Sequence, residues 1–221
     1  MIELYHCVSA RSLRPLWMLE ELGLAYQLHM LPFPPRVQAR AFLQDNPLGT
    51  VPLLVDGATR MTESAAMCDY LVRRSGNTAL QVQEQEADFG AYLNWLHMSD
   101  APLTFPQPLV LRYRHFEPPE RRQPQVAEDY ARWFLARLRA VEAALSDAPF
   151  LCAGRFTAAD VAVGYALLLG QHLGLSEHYP PAVQAYWAGL QARPAYQRVL
   201  QIQQEAAQTQ GVDPTPAPDL R

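Results

Sequence analysis

Residues Asn46 to Ala66 constrain this chain more than any other stretch. Asn46-Pro47-Leu48-Gly49-Thr50 carries the marks of a turn, an Asn-Pro pair with a glycine behind it. Val51-Pro52 opens a short β run over Leu53 to Val55, and Asp56-Gly57 closes it as a hairpin signal. Proline has no N–H for a ladder, so Pro52 belongs at the first residue of its strand. X-Pro is also the peptide bond that tolerates the cis form, and Val51–Pro52 is expected to be cis. Glu63-Ser64 then opens a helical run. A helix N-terminus presents unpaired N–H groups and partial positive charge, which suit a carboxylate. A backbone edge at Val51 and a carboxylate trap at Ser64 suit an extended peptide with an acidic end. An ordinary hairpin and helix, with Thr62 or Ser64 as the cap, accounts for the same residues in purely structural terms.

Around this segment the first part of the chain alternates strand and helix. Ile2, Leu4 and His6 alternate with Glu3, Tyr5 and Cys7, the period of a strand. Ser9 to Ser12 reads as a turn. A helix follows to Leu22, with Pro15 in its first turn and Gly23 as its stop. A strand over Tyr26–Leu31, a loop with a short helical piece over Pro32–Asn46, strands near 52–55 and 59–61, and a helix from Ser64 to Arg74 complete the set. The order β-α-β-α-β-β-α is thioredoxin-like and predicts an α/β first domain over 1–78. After a polar linker the chain reads as all helix, a second domain over 85–208. Helices are expected over 83–98, 109–115, 124–145, 158–173 and 182–208, with Pro102, Pro106 and Pro108 breaking or kinking the first of them. In the 124–145 helix, Val126, Tyr130, Trp133, Phe134, Leu138, Val141 and Leu145 recur at helical spacing. Residues 209–221, rich in proline, read as a loose tail.

Size and composition narrow the function classes. The chain has 221 residues, of which 49% are hydrophobic and 18% charged, as in a globular protein of one or two domains. No apolar run approaches the length of a membrane span, and Met1-Ile2-Glu3-Leu4-Tyr5 is no secretory leader. A net charge of −4 offers no footprint for nucleic acid. All 18 basic residues are arginine, which excludes lysine chemistry such as Schiff bases. Cys7, Cys68 and Cys152 are scattered, without a Cys-x-x-Cys pair or a Cys/His cluster. No dithiol and no metal site are therefore expected, and the reducing cytoplasm is the expected compartment.

Val51, Pro52, Glu63 and Ser64, at this spacing, resemble the glutathione site of the cytosolic glutathione S-transferases. The resemblance extends to the two-domain order and so covers nearly the whole chain. It implies that the Val51 backbone pairs with the cysteinyl part of glutathione beside the cis proline. It also implies that Glu63-Ser64 holds the γ-glutamyl carboxylate. Arg155-Phe156-Thr157-Ala158-Ala159-Asp160-Val161 is a second mark of the family, read as a capping box with a hydrophobic staple from Phe156 to Val161. Its role is structural. In this family glutathione is a co-substrate added to an electrophile in detoxification, the protein is a homodimer, and no metal takes part. The helix face carrying Met67, Asp69 and Arg73 is the expected interface together with the first long helices.

Conjugation needs the thiolate, and a cysteine thiol of pKa near 8.5 is only a few per cent ionised at neutral pH. A hydrogen-bond donor in the loop after the first strand must supply the difference. That loop, Cys7-Val8-Ser9-Ala10-Arg11-Ser12, resembles the loop of bacterial serine-type members, theta-like or zeta-like, and Ser9 takes the donor's place. Tyr5 and Cys7 remain rivals, Tyr5 as a hydroxyl donor and Cys7 as a partner in a mixed disulfide. Ser12 is expected as the helix N-cap. Arg11 stands where cysteine-type members carry their thiol and can add positive potential. Many members have a cation before the Val-Pro pair, and Thr50 stands there instead. Arg36, Gln38 and Arg40 are then the candidates for the glycyl carboxylate. Tyr92, Trp95, Phe105 and Tyr113 are candidates for an apolar electrophile pocket. The alternatives to a transferase are a glutathione-dependent disulfide reductase or thiol transferase, and a non-enzymatic glutathione-binding module.

Overall fold

The computed structural model describes residues 1–219. Among the described residues, one unit holds Met1–Asn77 and residues 192–219, and the other holds Thr78–Gln191. In the first, β1 (Ile2–His6) buries Ile2, Leu4 and His6 and leaves Glu3 and Tyr5 half-buried, the alternation read from the sequence. Helix α1 (Leu13–Leu22) is buried from Leu13 through Leu19 and stops at Gly23. Strand β2 (Tyr26–Met30) runs parallel to β1, with Ile2 opposite Tyr26 and His6 opposite Met30. The expected helical piece is α2 (Pro35–Gln38), followed by a 3-10 turn over Arg40–Gln44. Strand β3 (Leu53–Asp56) is antiparallel to β1, and β4 (Thr59–Met61) is antiparallel to β3. The sheet order is β2-β1-β3-β4. Asp56 faces Thr59, so Gly57-Ala58 is a two-residue hairpin loop. Gly57 supplies its left-handed residue at φ 60°. Helix α3 (Ser64–Ser75) follows, completing a thioredoxin-like domain in the expected order.

The second unit is helical: α4 (Phe89–Met98), α5 (Pro106–Leu111), α6 (Pro124–Ala144), α7 (Ala158–His172) and α8 (Pro181–Gln191). Helix α4 starts at Phe89 rather than near Gln83. The Glu86 carboxylate accepts from the Gln83 N–H at 2.7 Å and from Arg155 at 2.9 Å, which closes residues 83–86 into a turn. The prolines bend the chain without ending the helical run. Ser99–Thr104 and Arg112–Phe116 are π-helical turns, in which the Phe105 N–H reaches back five residues to the Asp100 carbonyl at 2.8 Å. Helix α5 thus spans 106–111 and passes into the second of these turns, where the sequence suggests a helix over 109–115. Helix α7 is buried from Ala158 through Gly170, as its apolar sequence requires. A Cβ at Gly170 would collide with the Tyr179 hydroxyl and the Phe134 ring, so glycine is what lets these two approach the α7 backbone. On α6 the apolar spacing buries Phe134, Leu138 and Val141, whereas Trp133 is exposed, with Arg137 stacked over its ring at 4.4 Å. The capping box forms: the Thr157 hydroxyl accepts from the Ala159 N–H at 3.3 Å, and Asp160 accepts from the Thr157 N–H at 2.8 Å.

Two expectations for the end of the chain are corrected. The single helix over 182–208 is two helices, because Pro194 brings no N–H and Arg193 is extended at ψ 133°. Helix α9 (Pro194–Thr209) rejoins the first unit. There Tyr196 packs edge-on against Trp17 at 4.8 Å, and Arg193 grips Glu21 with two bonds of 2.7 and 2.8 Å. Gln210 covers the outer edge of β2, accepting from the Met30 N–H at 2.8 Å and donating to the Leu28 carbonyl at 2.9 Å. The second correction concerns the tail. The Ala217 N–H donates to the Val8 carbonyl at 2.8 Å, and buried Ala217 packs with Cys7 and Ala10. This bond and this packing tie the segment down. Residues 220 and 221 of the expected tail lie outside the described residues. Among the described residues no helix is long and apolar enough to cross a membrane, and no group of three or more metal-ligating side chains occurs.

Candidate functional site

The turn before Val51 is built by Asn46. This buried side chain donates to the Thr50 carbonyl at 2.7 Å and accepts from the Leu48 N–H at 3.1 Å. Gly49 closes the turn at φ 59°, where a Cβ would lie 2.6 Å from that of Arg36, so only glycine fits. The chain then enters Val51–Pro52 through a cis peptide bond, as expected. The β1–β3 ladder ends at the pair Tyr5 and Leu53. Continuing its register would set Val51 opposite Cys7, where β1 has already turned away. Among the described residues the Val51 N–H and carbonyl make no hydrogen bond, so this backbone edge is open to a ligand.

Strand β4 returns the chain to the same end of the sheet, with Met61 opposite Leu54, and α3 starts there. Glu63 occupies the N-cap position with an exposed side chain that makes no capping bond. Ser64 is the first helical residue and is buried, and its Oγ accepts from the Arg14 guanidinium at 2.9 Å. Arg14 is wholly buried on α1. A guanidinium only donates, so the Ser64 hydroxyl hydrogen must point elsewhere. The helix N-terminus therefore has a buried cation behind it and a serine donor in front. Both favour an anion.

The loop from Cys7 to Ser12 lies at this end of the sheet. Ser9 is 4% exposed and holds a left-handed backbone at φ 54°. Its N–H donates to Gln203 Oε1 at 2.9 Å, and its Oγ faces Gln203 Nε2 at 3.5 Å. Ser12 is not the expected side-chain cap. Its Oγ accepts from the Cys7 N–H at 3.3 Å and so folds the loop on itself. Burial pushes the Cys7 thiol up to about 12, so it is a poor source of thiolate. Tyr5 stacks on His29 at 4.6 Å and meets the Phe42 ring at a tilt at 5.3 Å, and burial raises its pKa, with further increments from Asp45 and Glu3. It packs the sheet. Arg11 is half-exposed on the loop, and Arg36, Gln38 and Arg40 are exposed. Gln38 also lines a small cavity with Cys7, Phe33 and Thr215. Tyr92 and Trp95 are buried within the helical unit, whereas Phe105 is exposed and Tyr113 half-buried.

His6 is buried, as a core histidine should be, and its Nε2 lies 3.1 Å from Gln203 Oε1. Burial pushes its pKa down to about 4, while the bond to Gln203 pulls the other way. The unfolded chain then takes up this proton first as pH falls. The stability tied to neutral His6 is complete above about pH 6.5 and is lost as pH falls toward 4, a total of about 3 kcal/mol. Denaturant unfolding at a series of pH values should show this loss. His6→Gln should flatten the curve by roughly 1.4 kcal/mol per pH unit across that window. Superimposable slopes for the two proteins would mean that His6 is not buried neutral.

Arg14 and Gln203 are the two site residues that the sequence reading overlooks. Each leaves one faint mark, a polar residue on an apolar stripe. Arg14 stands among Leu13, Leu16 and Trp17, and Gln203 continues the buried series Tyr196, Val199, Gln203, Ala207.

Comparison with known proteins bears on the same segment. The family described as "Glutathione S-transferase, N-terminal domain" matches residues 8–74. Glutathione S-transferase 3 of Schizosaccharomyces pombe is 38% identical over 106 residues, which are 47% of this chain and 43% of that protein. The chain thus spans less than half the length of that relative. Glutathione S-transferase 4 of Zea mays is 29% identical over 196 residues, 86% of either chain. The crystal structure of a glutathione transferase from Methylococcus capsulatus superposes with a TM-score of 0.78 at 27% identity, covering 91% of this chain and 98% of that one.

Proposed function

We propose that this chain, which belongs to the glutathione S-transferase family, binds glutathione at the Val51–Ser64 end of its sheet and transfers it to a hydrophobic electrophile. One observation carries the reading. The open backbone at Val51, the α3 N-terminus with Ser64 backed by Arg14, and the Ser9 loop all stand at one end of one sheet. The cysteinyl backbone of glutathione pairs with Val51 beside Pro52. The γ-glutamyl carboxylate meets Ser64, with Glu63 next to it toward the amine. Arg36, Gln38 or Arg40 takes the glycyl carboxylate, and Arg11 adds positive potential. The Ser9 hydroxyl donates to the sulfur and favours its thiolate. The sulfur then bonds to the electrophilic carbon, and the leaving group departs with its electron pair.

The protein acts without a metal, in the cytoplasm and as a homodimer, on this reading. The three cysteines are free and buried, which suits a reducing compartment. Met67 is buried inside the protomer, so the expected interface face of α3 reduces to Asp69 and Arg73, which bond to each other at 2.7 Å. The disulfide-reductase reading is disfavoured by the burial and raised pKa of Cys7.

The test is Ser9→Ala, with the bound glutathione thiol titrated by its thiolate absorbance. A rise of one pH unit corresponds to about tenfold less thiolate near neutral pH. Turnover of a chlorodinitrobenzene-type electrophile should fall in proportion and recover as pH is raised, with glutathione affinity nearly unchanged. If the titration is unmoved in Ser9→Ala and shifts in Tyr5→Phe or Cys7→Ala, the donor is not Ser9. Faster reduction of a mixed disulfide than conjugation would favour the thiol-transferase reading, and activity in neither assay would favour a binding module.

A further inference from the structure

Resting on the assignment of Ser9 above, we propose that Gln203 of α9 is the positioning residue that aims the Ser9 hydroxyl at the sulfur. Ser9 carries a side chain at φ 54°, a conformation that surrounding contacts must hold. The contact that does so comes from the far end of the chain. Gln203 Oε1 accepts from the Ser9 N–H at 2.9 Å and from His6 Nε2–H at 3.1 Å. A backbone N–H can only donate, so it identifies this amide atom as the oxygen and places the nitrogen on the other side. That nitrogen faces Ser9 Oγ at 3.5 Å. An amide NH2 offers hydrogens and no lone pair for a hydroxyl. Ser9 Oγ is therefore an acceptor toward Gln203, and its own hydrogen is left for another partner.

The 3.5 Å contact is long, so it sets direction more than strength. Gln203 is 2% exposed and Ser9 4% exposed, so the contact is shielded from bulk solvent. The C-terminal helix thereby belongs to the thiol-activating site, although it contributes no atom to the reaction. His6 has a part in the same arrangement, since its N–H holds the amide from turning over. A glutamate at 203 would still accept from the Ser9 N–H and from His6. Its second oxygen would also accept, and would draw the Ser9 hydrogen away from the sulfur.

Gln203→Glu, Gln203→Met and Ser9→Ala are to be compared with the wild type by thiolate titration of bound glutathione, glutathione affinity and kcat against pH. Gln203→Met keeps nearly the same volume and removes every hydrogen bond, so it reports even if the buried carboxylate prevents folding. Both Gln203 variants should lose about as much thiolate near neutral pH as Ser9→Ala, roughly tenfold. The loss should appear in kcat and diminish at high pH, with glutathione affinity within about threefold of wild type. A residue that only packs would lower stability and leave the titration in place. Wild-type titrations in both Gln203 variants, beside a shifted Ser9→Ala, would overturn the proposal and leave the Ser9 assignment standing. An unshifted Ser9→Ala would overturn both.

Discussion

Asp160→Ala is expected to destabilise the protein by roughly 3–5 kcal/mol, well beyond the loss of a helix cap, which costs about 0.5–2 kcal/mol. The difference lies in what else the carboxylate holds. Asp160 is buried and accepts from the Thr157 N–H at 2.8 Å, from the Thr157 hydroxyl at 3.1 Å, from the Leu151 N–H at 3.1 Å and from the Tyr186 hydroxyl at 2.7 Å. It therefore ties α7 to the incoming loop and to α8. Alanine would strand these four buried donors, each costing about 1–3 kcal/mol when left without a partner. Burial pushes the carboxyl pKa up in spite of these bonds, which together pull it down. Asp160→Asn keeps the shape and replaces one acceptor oxygen with an NH2 group that must face a donor. It should fall between the wild type and alanine. Denaturant midpoints at constant slope measure all three. Turnover per folded molecule should be normal throughout, because Asp160 touches nothing in the proposed site. A loss under about 1 kcal/mol for alanine would mean that water reaches the stranded donors.

The first unit was legible because nearly every boundary carries a local device. Gly23 ends α1, Asn46 and Gly49 make the turn before Val51, Gly57 turns the hairpin, and the alternation of β1 matches its buried face. These signals act within a few residues, which is the range over which a sequence can be read without its partners. The start of α4 is not visible in the sequence because the Glu86 side chain, with Arg155 from far along the chain, competes for the backbone of residues 83–86. Pro194 was a visible break, overridden by the apolar period that runs on both sides of it. The composition of the tail suggests a loose segment, yet Ala217 is held by the Val8 carbonyl and by an apolar cluster with Cys7 and Ala10 that exists only in the folded sheet. The site divides the same way. Val51, Pro52 and Ser64 lie on one short segment whose turn chemistry specifies them. Arg14 and Gln203 act on Ser64 and Ser9 from 50 and 194 residues away, and only packing brings them there.

Ser64→Ala should weaken glutathione binding by roughly ten- to a hundredfold. A hydrogen bond from a hydroxyl to a carboxylate is worth about 1.5–3 kcal/mol, and each 1.4 kcal/mol is about tenfold in affinity. The structure adds a reason for the upper part of that range. Arg14 occupies an acceptor lone pair of Ser64 Oγ at 2.9 Å, which polarises the hydroxyl and leaves its hydrogen to the ligand. Alanine removes that donor and also takes a bond from a wholly buried guanidinium. Calorimetric titration gives the affinity directly. Ser64→Thr restores the hydroxyl and should recover most of the binding. A glutathione analogue without the γ-glutamyl carboxylate locates the effect, because it should bind wild type and Ser64→Ala with nearly equal affinity. The interaction energy of that cycle belongs to the contact between Ser64 and the carboxylate, free of any general loosening of the α3 N-terminus. If Ser64→Ala weakens the analogue as much as it weakens glutathione, the carboxylate binds elsewhere, and the damage is to the packing of Arg14 alone.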